Sequence, residues 1–195
     1  MLGHTLEAEK SKVLDAWRAR VGNKEADRIS KAAADRGTNT HLMLERYLKG
    51  EDPRVEDFSQ EHAGFFLSLR LELKNINKVY GQEVVLYSHD LGVAGRCDLV
   101  AEYKGELAIL DYKTSSRVKD QSEIKDYWLQ TAFYAIAHNE MFGTNIKKMV
   151  ILMPVLNRLP KTGRSAAAFA THDASPEQSV PAGESPPGTY GVPET

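Results

Sequence analysis

Residues 94–112 hold two β-prone runs, AGRCDLVAEY and ELAILDY, joined only by Lys104-Gly105. A two-residue connection ending in glycine forces an antiparallel hairpin, because only a tight turn with positive φ reverses the chain there. Facing residues in such a hairpin have numbers summing to about 209, so Asp98 lies opposite Asp111. Upstream, Glu83–Ser88 (EVVLYS) is β-branched and aromatic and is followed by a turn over His89–Gly92. Three short strands with tight connections make an antiparallel meander.

The next element is helical. Asp120 and Glu123 have the spacing of a capping box, and the helix that follows runs to about Phe142, with Gly143 beyond it. Lys148–Val155 (KMVILMPV) is a continuous apolar run, expected of a strand buried on both faces. A strand reached through a crossover helix lies parallel to its neighbour. The fold class is therefore α/β, a central mixed β-sheet flanked by helices. The flanking helices come largely from the first half. Thr5–Arg20, Lys24–Asp35, Thr38–Leu48 after an interruption at Gly37, and a long amphipathic Phe58–Tyr80 all have helical spacing.

The charge is divided unevenly. Residues 1–165 carry 25 basic and 23 acidic side chains, whereas residues 166–195 carry four acids, no base and five of the eight prolines. The last segment has too little apolar surface to offset its ordering entropy. The expected organisation is a folded domain over 1–165 and a disordered acidic, Pro-rich tail over 166–195. Within that tail, Phe169 and Val180 are the residues a docked last strand would use.

Several classes of chain are excluded. The single cysteine, Cys97, makes neither an internal disulfide nor a four-cysteine cluster, and its place in the second strand makes it a core residue. The longest uncharged run of the body, Tyr127–Asn139, has 13 residues against the roughly 20 that a membrane helix needs. MLGHTLEAEK has no apolar signal core, so the expected location is the cytoplasm. No GxxxxGK[ST] loop occurs, so no nucleotide-driven motor is expected. Ser88-His89-Asp90 spells a triad in name only, since consecutive residues cannot converge on one point.

The chemistry lies in GRCDLVAEYKGELAILDYK, residues 95–113. Strand alternation puts Asp111 and Lys113 on one face and Tyr112 on the other. Directly opposite residues have Cβ atoms about 5 Å apart, so Asp98 and Asp111 bring two negative charges together. A hard divalent cation bound by carboxylate oxygens compensates them, and Lys113 adds positive charge beside them. A surface acid–acid–lysine cluster on an ordinary hairpin has the same pattern. It explains poorly why two apolar segments deliver acids to one face.

Asp98 followed by an apolar strand ending in Asp111-Tyr112-Lys113 resembles the PD-(D/E)XK nuclease superfamily. Gln130 and Tyr134, in YWLQTAFYA, resemble the Gln-X-X-X-Tyr element of its RecB-like branch. RGTNTHLMLERYL resembles the branch's helical motif, with His41 in the place of a metal-binding histidine. The four elements occur in the family's order over residues 36–134, and the overall look is of the small phage and mitochondrial exonucleases of that branch.

The resemblance implies a restriction-endonuclease-like core and a metal-dependent DNA exonuclease acting at single-stranded or duplex ends. The setting it implies is phage or bacterial DNA replication, recombination or repair, with proteins of those processes as partners. Asp98, Asp111 and Lys113 would be catalytic. His41, Asp98, Asp111 and the Tyr112 carbonyl would hold Mg²⁺ or Mn²⁺, and the histidine makes Mn²⁺ a good fit. Gln130 and Tyr134 would contact DNA. Arg117, Lys119, Lys125, Lys147 and Lys148 are candidate phosphate contacts, joined by Arg36, Arg20 and Lys24 from the helical half. Glu83, on the neighbouring strand, is a candidate support for the metal site, whereas Glu45 is expected to pair with Lys49. A structure-selective endonuclease and an inactive nucleic-acid-binding module are the alternatives on the same core.

Overall fold

A computed structural model describes residues 2–158 and 165–174 of the chain. Lys104 and Gly105 have φ values of 51° and 83°, the positive pair that a type I′ hairpin turn requires. The turn joins β2 (Val93–Tyr103) to β3 (Glu106–Tyr112), paired antiparallel from Tyr103↔Glu106 to Leu99↔Leu110. This is the expected register. β1 (Ile76–Ser88) pairs antiparallel with the other edge of β2. Between Ser88 and Val93 the chain turns, held by Glu140, whose carboxylate accepts from Ser88 Oγ and from the His89 N–H, both at 2.6 Å.

The crossover leads to a strand parallel to β3. Asp120 and Glu123 form the expected capping box, on a 3-10 turn (Gln121–Ile124) that leads into α4 (Lys125–Phe142). Gly143, at φ 64°, closes α4. β4 (Lys148–Arg158) then pairs parallel with β3, and β5 (Ser165–Ala174) pairs antiparallel with β4. The sheet order is β1-β2-β3-β4-β5.

The helices cover both faces. α1 spans Leu2–Val21, α2 Asn23–Leu48 and α3 Gln60–Leu69. Met43 and Leu44 of α2 and Phe66 and Leu69 of α3 pack on Leu99, Ala101, Leu110 and Leu152. On the other face Tyr134, Ala135 and Ala137 of α4 pack on Val100 and Ile109, with Cys97 buried beside them. β4 is buried on both sides, through Val150 and Leu152 towards one cluster and Ile151, Met153 and Val155 towards another. The mixed sheet flanked by helices is the expected architecture.

Three expectations are corrected. Phe58–Tyr80 is not one helix: after α3 comes a 3-10 turn (Glu72–Asn75), and β1 begins at Ile76. Register shifts between Ile76 and Lys78 and between Val79 and Gly81 explain the misleading pattern. A bulge lets Ile76 and Val79, three apart, pack on the same core cluster, which mimics helical spacing. Second, α2 runs unbroken through Gly37, and a Cβ there would meet only Thr114 Oγ1, at 3.9 Å. One helical glycine costs only about 1 kcal/mol relative to alanine, which the packing of Met43 and Leu44 outweighs.

The third correction concerns the domain boundary. Residues 166–174 belong to β5 and pair with β4, Phe169 opposite Pro154, so order continues past the expected boundary at 165. The strand is held in place by its backbone ladder with β4. The remainder of the expected tail, 175–195, lies outside the described residues. Truncation after Arg164 strips this ladder and bares the β4 edge. It is expected to cost about 2 kcal/mol or more and to lower the melting temperature by about 4 °C or more. Thermal unfolding of the truncated and full chains checks this, and equal melting temperatures would return the boundary to residue 165.

Candidate active site

The β2–β3 ladder ends where the acids begin. Beyond Leu99↔Leu110, the Tyr112 N–H donates to Asp98 Oδ2 at 2.7 Å, so the carboxylate takes the place of a strand carbonyl. Lys113 continues the line of β3, its N–H donating to the Leu152 carbonyl at 3.1 Å. Its Nζ forms an ion pair with Asp111 Oδ2, as two residues on one strand face require.

Asp111 is 1% exposed. Burial, and next the negative charge of Asp98, push its carboxyl up to about 6, against the pull of Lys113 and His41. Its Oδ2 is buried without a hydrogen bond, with only the Lys113 ammonium against it. A buried carboxylate facing a second acid, with one oxygen free of hydrogen bonds, suits a hard divalent cation.

α2 brings His41 to the same place. Its Nε2–H donates to the Tyr112 carbonyl at 3.0 Å, its Nδ1 lies 3.6 Å from Asp98 Oδ1, and its ring stands edge-on to Tyr112 at 5.5 Å. Imidazole nitrogen, backbone carbonyl and carboxylate thus converge from a helix and two strands. Glu83 joins them: His41, Glu83 and Asp98 each present a ligand atom within 4.8 Å of the others. A cleft of about 580 Å³ opens beside them, lined by Gly37, Thr38, His41, Glu83 and Arg96 among others.

The strand geometry here is irregular. Cys97 and Val100 both pack in the cluster beneath α4, although residues three apart on a regular strand face opposite ways. The β1 residue in line with Asp98 is Glu83, at φ 53°. A non-glycine residue in the left-handed region is uncommon and costs of order 1 kcal/mol or more.

Gln130 and Tyr134 stand on α4. Gln130 Nε2 donates to Tyr134 Oη at 3.1 Å. Burial raises the Tyr134 pKa, opposed by that hydrogen bond, and the charges of Asp111 and Asp98 raise it further. Tyr134 therefore lies within the field of the acid pair. Gly95 makes room for it, since a Cβ there would stand 2.9 Å from Tyr134 Cε1.

The basic residues divide. Lys125, Lys147, Arg20 and Lys24 are exposed. Arg117 folds back in a two-point pair with Glu123, whose carboxyl that bonding holds down at about 2. Lys119 donates to Tyr127 Oη at 2.7 Å, and Arg36 is held by Glu61 at 3.2 Å. Lys148 is corrected as a phosphate contact: it is buried, with its Nζ 3.0 Å from Glu106. Glu45 pairs with Lys49 at 2.6 Å, as expected. Arg96, for which the sequence raises no expectation, has its Nε 2.7 Å from Glu83 Oε2. Its signal was its place two residues before Asp98 on the same strand.

A profile of the PD-(D/E)XK nuclease superfamily matches residues 53–175, from before α3 to the end of β5. The match includes Asp98, Asp111 and Lys113 and leaves His41 upstream. The chain is 26% identical to mitochondrial genome maintenance exonuclease 1 of Xenopus tropicalis over 160 residues, 78% of this chain and 46% of that protein. It is 27% identical to the mouse and human proteins of the same name, over 61% of this chain and 36% of each of theirs. The chain thus spans less than half the length of these curated relatives. No helix among the described residues is long and apolar enough to cross a membrane. With an acid in the middle of β2, Asp-Tyr-Lys closing β3 and a mixed sheet flanked by helices, the chain belongs to the PD-(D/E)XK nuclease superfamily.

Proposed function

We propose that this chain is a divalent-cation-dependent deoxyribonuclease that removes nucleotides from DNA ends, an exonuclease serving DNA replication, recombination or repair in a phage or bacterial setting. The observation that carries the reading is the meeting of Asp98, Asp111 and Lys113 at one end of the β2–β3 hairpin, beside His41. The similarity to exonucleases named for mitochondrial genome maintenance supports the choice of ends.

Asp98, Asp111, the Tyr112 carbonyl and His41 would hold Mg²⁺ or Mn²⁺. When bound, the cation polarises the scissile phosphate and makes water a stronger nucleophile at neutral pH. Lys113 has the reach to orient the attacking water and to balance charge developing on the phosphate. The Tyr127 ring lies 5.3 Å beneath its ammonium and limits where it swings. The Lys113 N–H, bonded to the Leu152 carbonyl, shares a planar peptide unit with the Tyr112 carbonyl and so sets that carbonyl's direction, while Asp98 anchors the Tyr112 N–H. Gln130 and Tyr134 would steady the DNA strand from α4, with Lys125 at the helix start and Arg117, once it leaves Glu123, as phosphate contacts.

The test offers the full chain two substrates of one sequence, an end-labelled linear DNA and a covalently closed circle, with Mg²⁺ or Mn²⁺. The expected result is release of label from the linear form and an intact circle. Cutting of the circle would identify a structure-selective endonuclease instead.

A further inference from the structure

The Glu83 backbone is held at φ 53° at the position in line with Asp98. The register runs Gln82↔Leu99 and Val84↔Cys97, regular on either side, so the left-handed conformation sits on this one residue. Its carboxylate lies within 4.8 Å of the ligand atoms of His41 and Asp98. Arg96 then lies against it at 2.7 Å.

We propose that Glu83 is a direct ligand of the catalytic cation, with Arg96 as the counterion that holds it until the cation arrives. The proposal rests on the cation-dependent reading above and adds a ligand to it. Its basis is charge as well as distance. Asp98, Asp111 and Glu83 set three carboxyl groups against the two basic side chains of Lys113 and Arg96, so acids outnumber bases in the cluster. A phosphodiester bears one negative charge and is repelled by that cluster. A dication turns the balance positive and admits it. Binding the cation through Glu83 also frees the Arg96 guanidinium, at the wall of the cleft, for a phosphate oxygen.

The experiment measures Mn²⁺ binding to the full chain by calorimetry and by the loss of the free-ion electron paramagnetic resonance signal, with no DNA present. Glu83→Gln is expected to weaken Mn²⁺ binding at least tenfold, and Arg96→Gln to leave it unchanged or tighten it. Glu83→Gly is the second variant. Glycine accepts positive φ freely, so its metal-free melting temperature is expected to hold or rise while Mn²⁺ binding falls. Glu83 variants that bind Mn²⁺ as tightly as wild type would overturn the proposal. So would an Arg96→Gln loss equal to that of Glu83→Gln, since the pair would then be a structural strut. A wild type that binds no Mn²⁺ overturns the cation-dependent reading itself, and this proposal with it.

Discussion

Asp111→Asn is expected to lose DNA cleavage by about a thousandfold or more and, without metal, to be more stable than wild type at pH 8. The first effect follows from removing one of the charges that would hold the cation, whose contribution to the transition state is several kcal/mol, at 1.36 kcal/mol per factor of ten. The second follows from the cost of an ionised carboxylate that is buried against Asp98. Its folded pKa, about 6, lies above the usual 3.8. The folded chain therefore binds the extra proton between about pH 4 and 6. The stability this provides is present below that window and is lost as the pH rises through it. The gap between 3.8 and about 6 corresponds to about 3 kcal/mol at pH 8. Asparagine escapes most of that cost, and the melting temperature in chelator should rise by roughly 5 °C. Thermal unfolding at pH 5 and pH 8 checks the sign: the gain should shrink at pH 5. A variant that cleaves at the wild-type rate, or that is less stable than wild type at pH 8, would show that Asp111 is an ordinary structural acid.

Mn²⁺ is expected to stabilise the protein strongly. A ligand that binds only the folded state adds about 2.7 kcal/mol at a hundredfold excess over its dissociation constant, a rise of roughly 5–10 °C for a chain of this size. His41→Ala removes one donor and also the bond to the Tyr112 carbonyl. With affinity lowered tenfold, about half of the rise remains at the same Mn²⁺ concentration. Differential scanning calorimetry with and without Mn²⁺ measures both. An unchanged wild-type melting temperature in millimolar Mn²⁺ would contradict a preformed site, and an undiminished rise in His41→Ala would remove His41 from it.

The hairpin and its acids were legible because they are written locally. Lys104-Gly105 sets the register, and the register alone puts Asp98 at the level of Asp111. The capping box at Asp120 and Glu123 and the glycine stop at Gly143 are equally local. What escaped depends on partners far along the chain. Ile76 and Val79 look helical because two bulges, set by pairing with β2, change the period. β5 looks disordered because its order comes from β4 and not from its own alanines. Lys148 looks like a surface cation until Glu106, 42 residues away, is seen against it. Arg117 is a partial case: Glu123 lies only six residues on, yet nothing in the spacing shows that the two side chains meet. Glu83 was legible as a neighbour of the site. Its left-handed backbone, at φ 53°, was not.

The most direct measurement is release of label from end-labelled linear DNA by wild type and by Asp98→Asn, each in Mn²⁺ and in chelator. Cleavage is predicted only for wild type with the cation. Asp98→Asn keeps the shape of the side chain and an oxygen for the Tyr112 N–H, so its loss of activity reports charge rather than unfolding. Cleavage by Asp98→Asn at the wild-type rate, or cleavage by wild type in chelator, would contradict a cation-dependent site built on Asp98, Asp111 and Lys113.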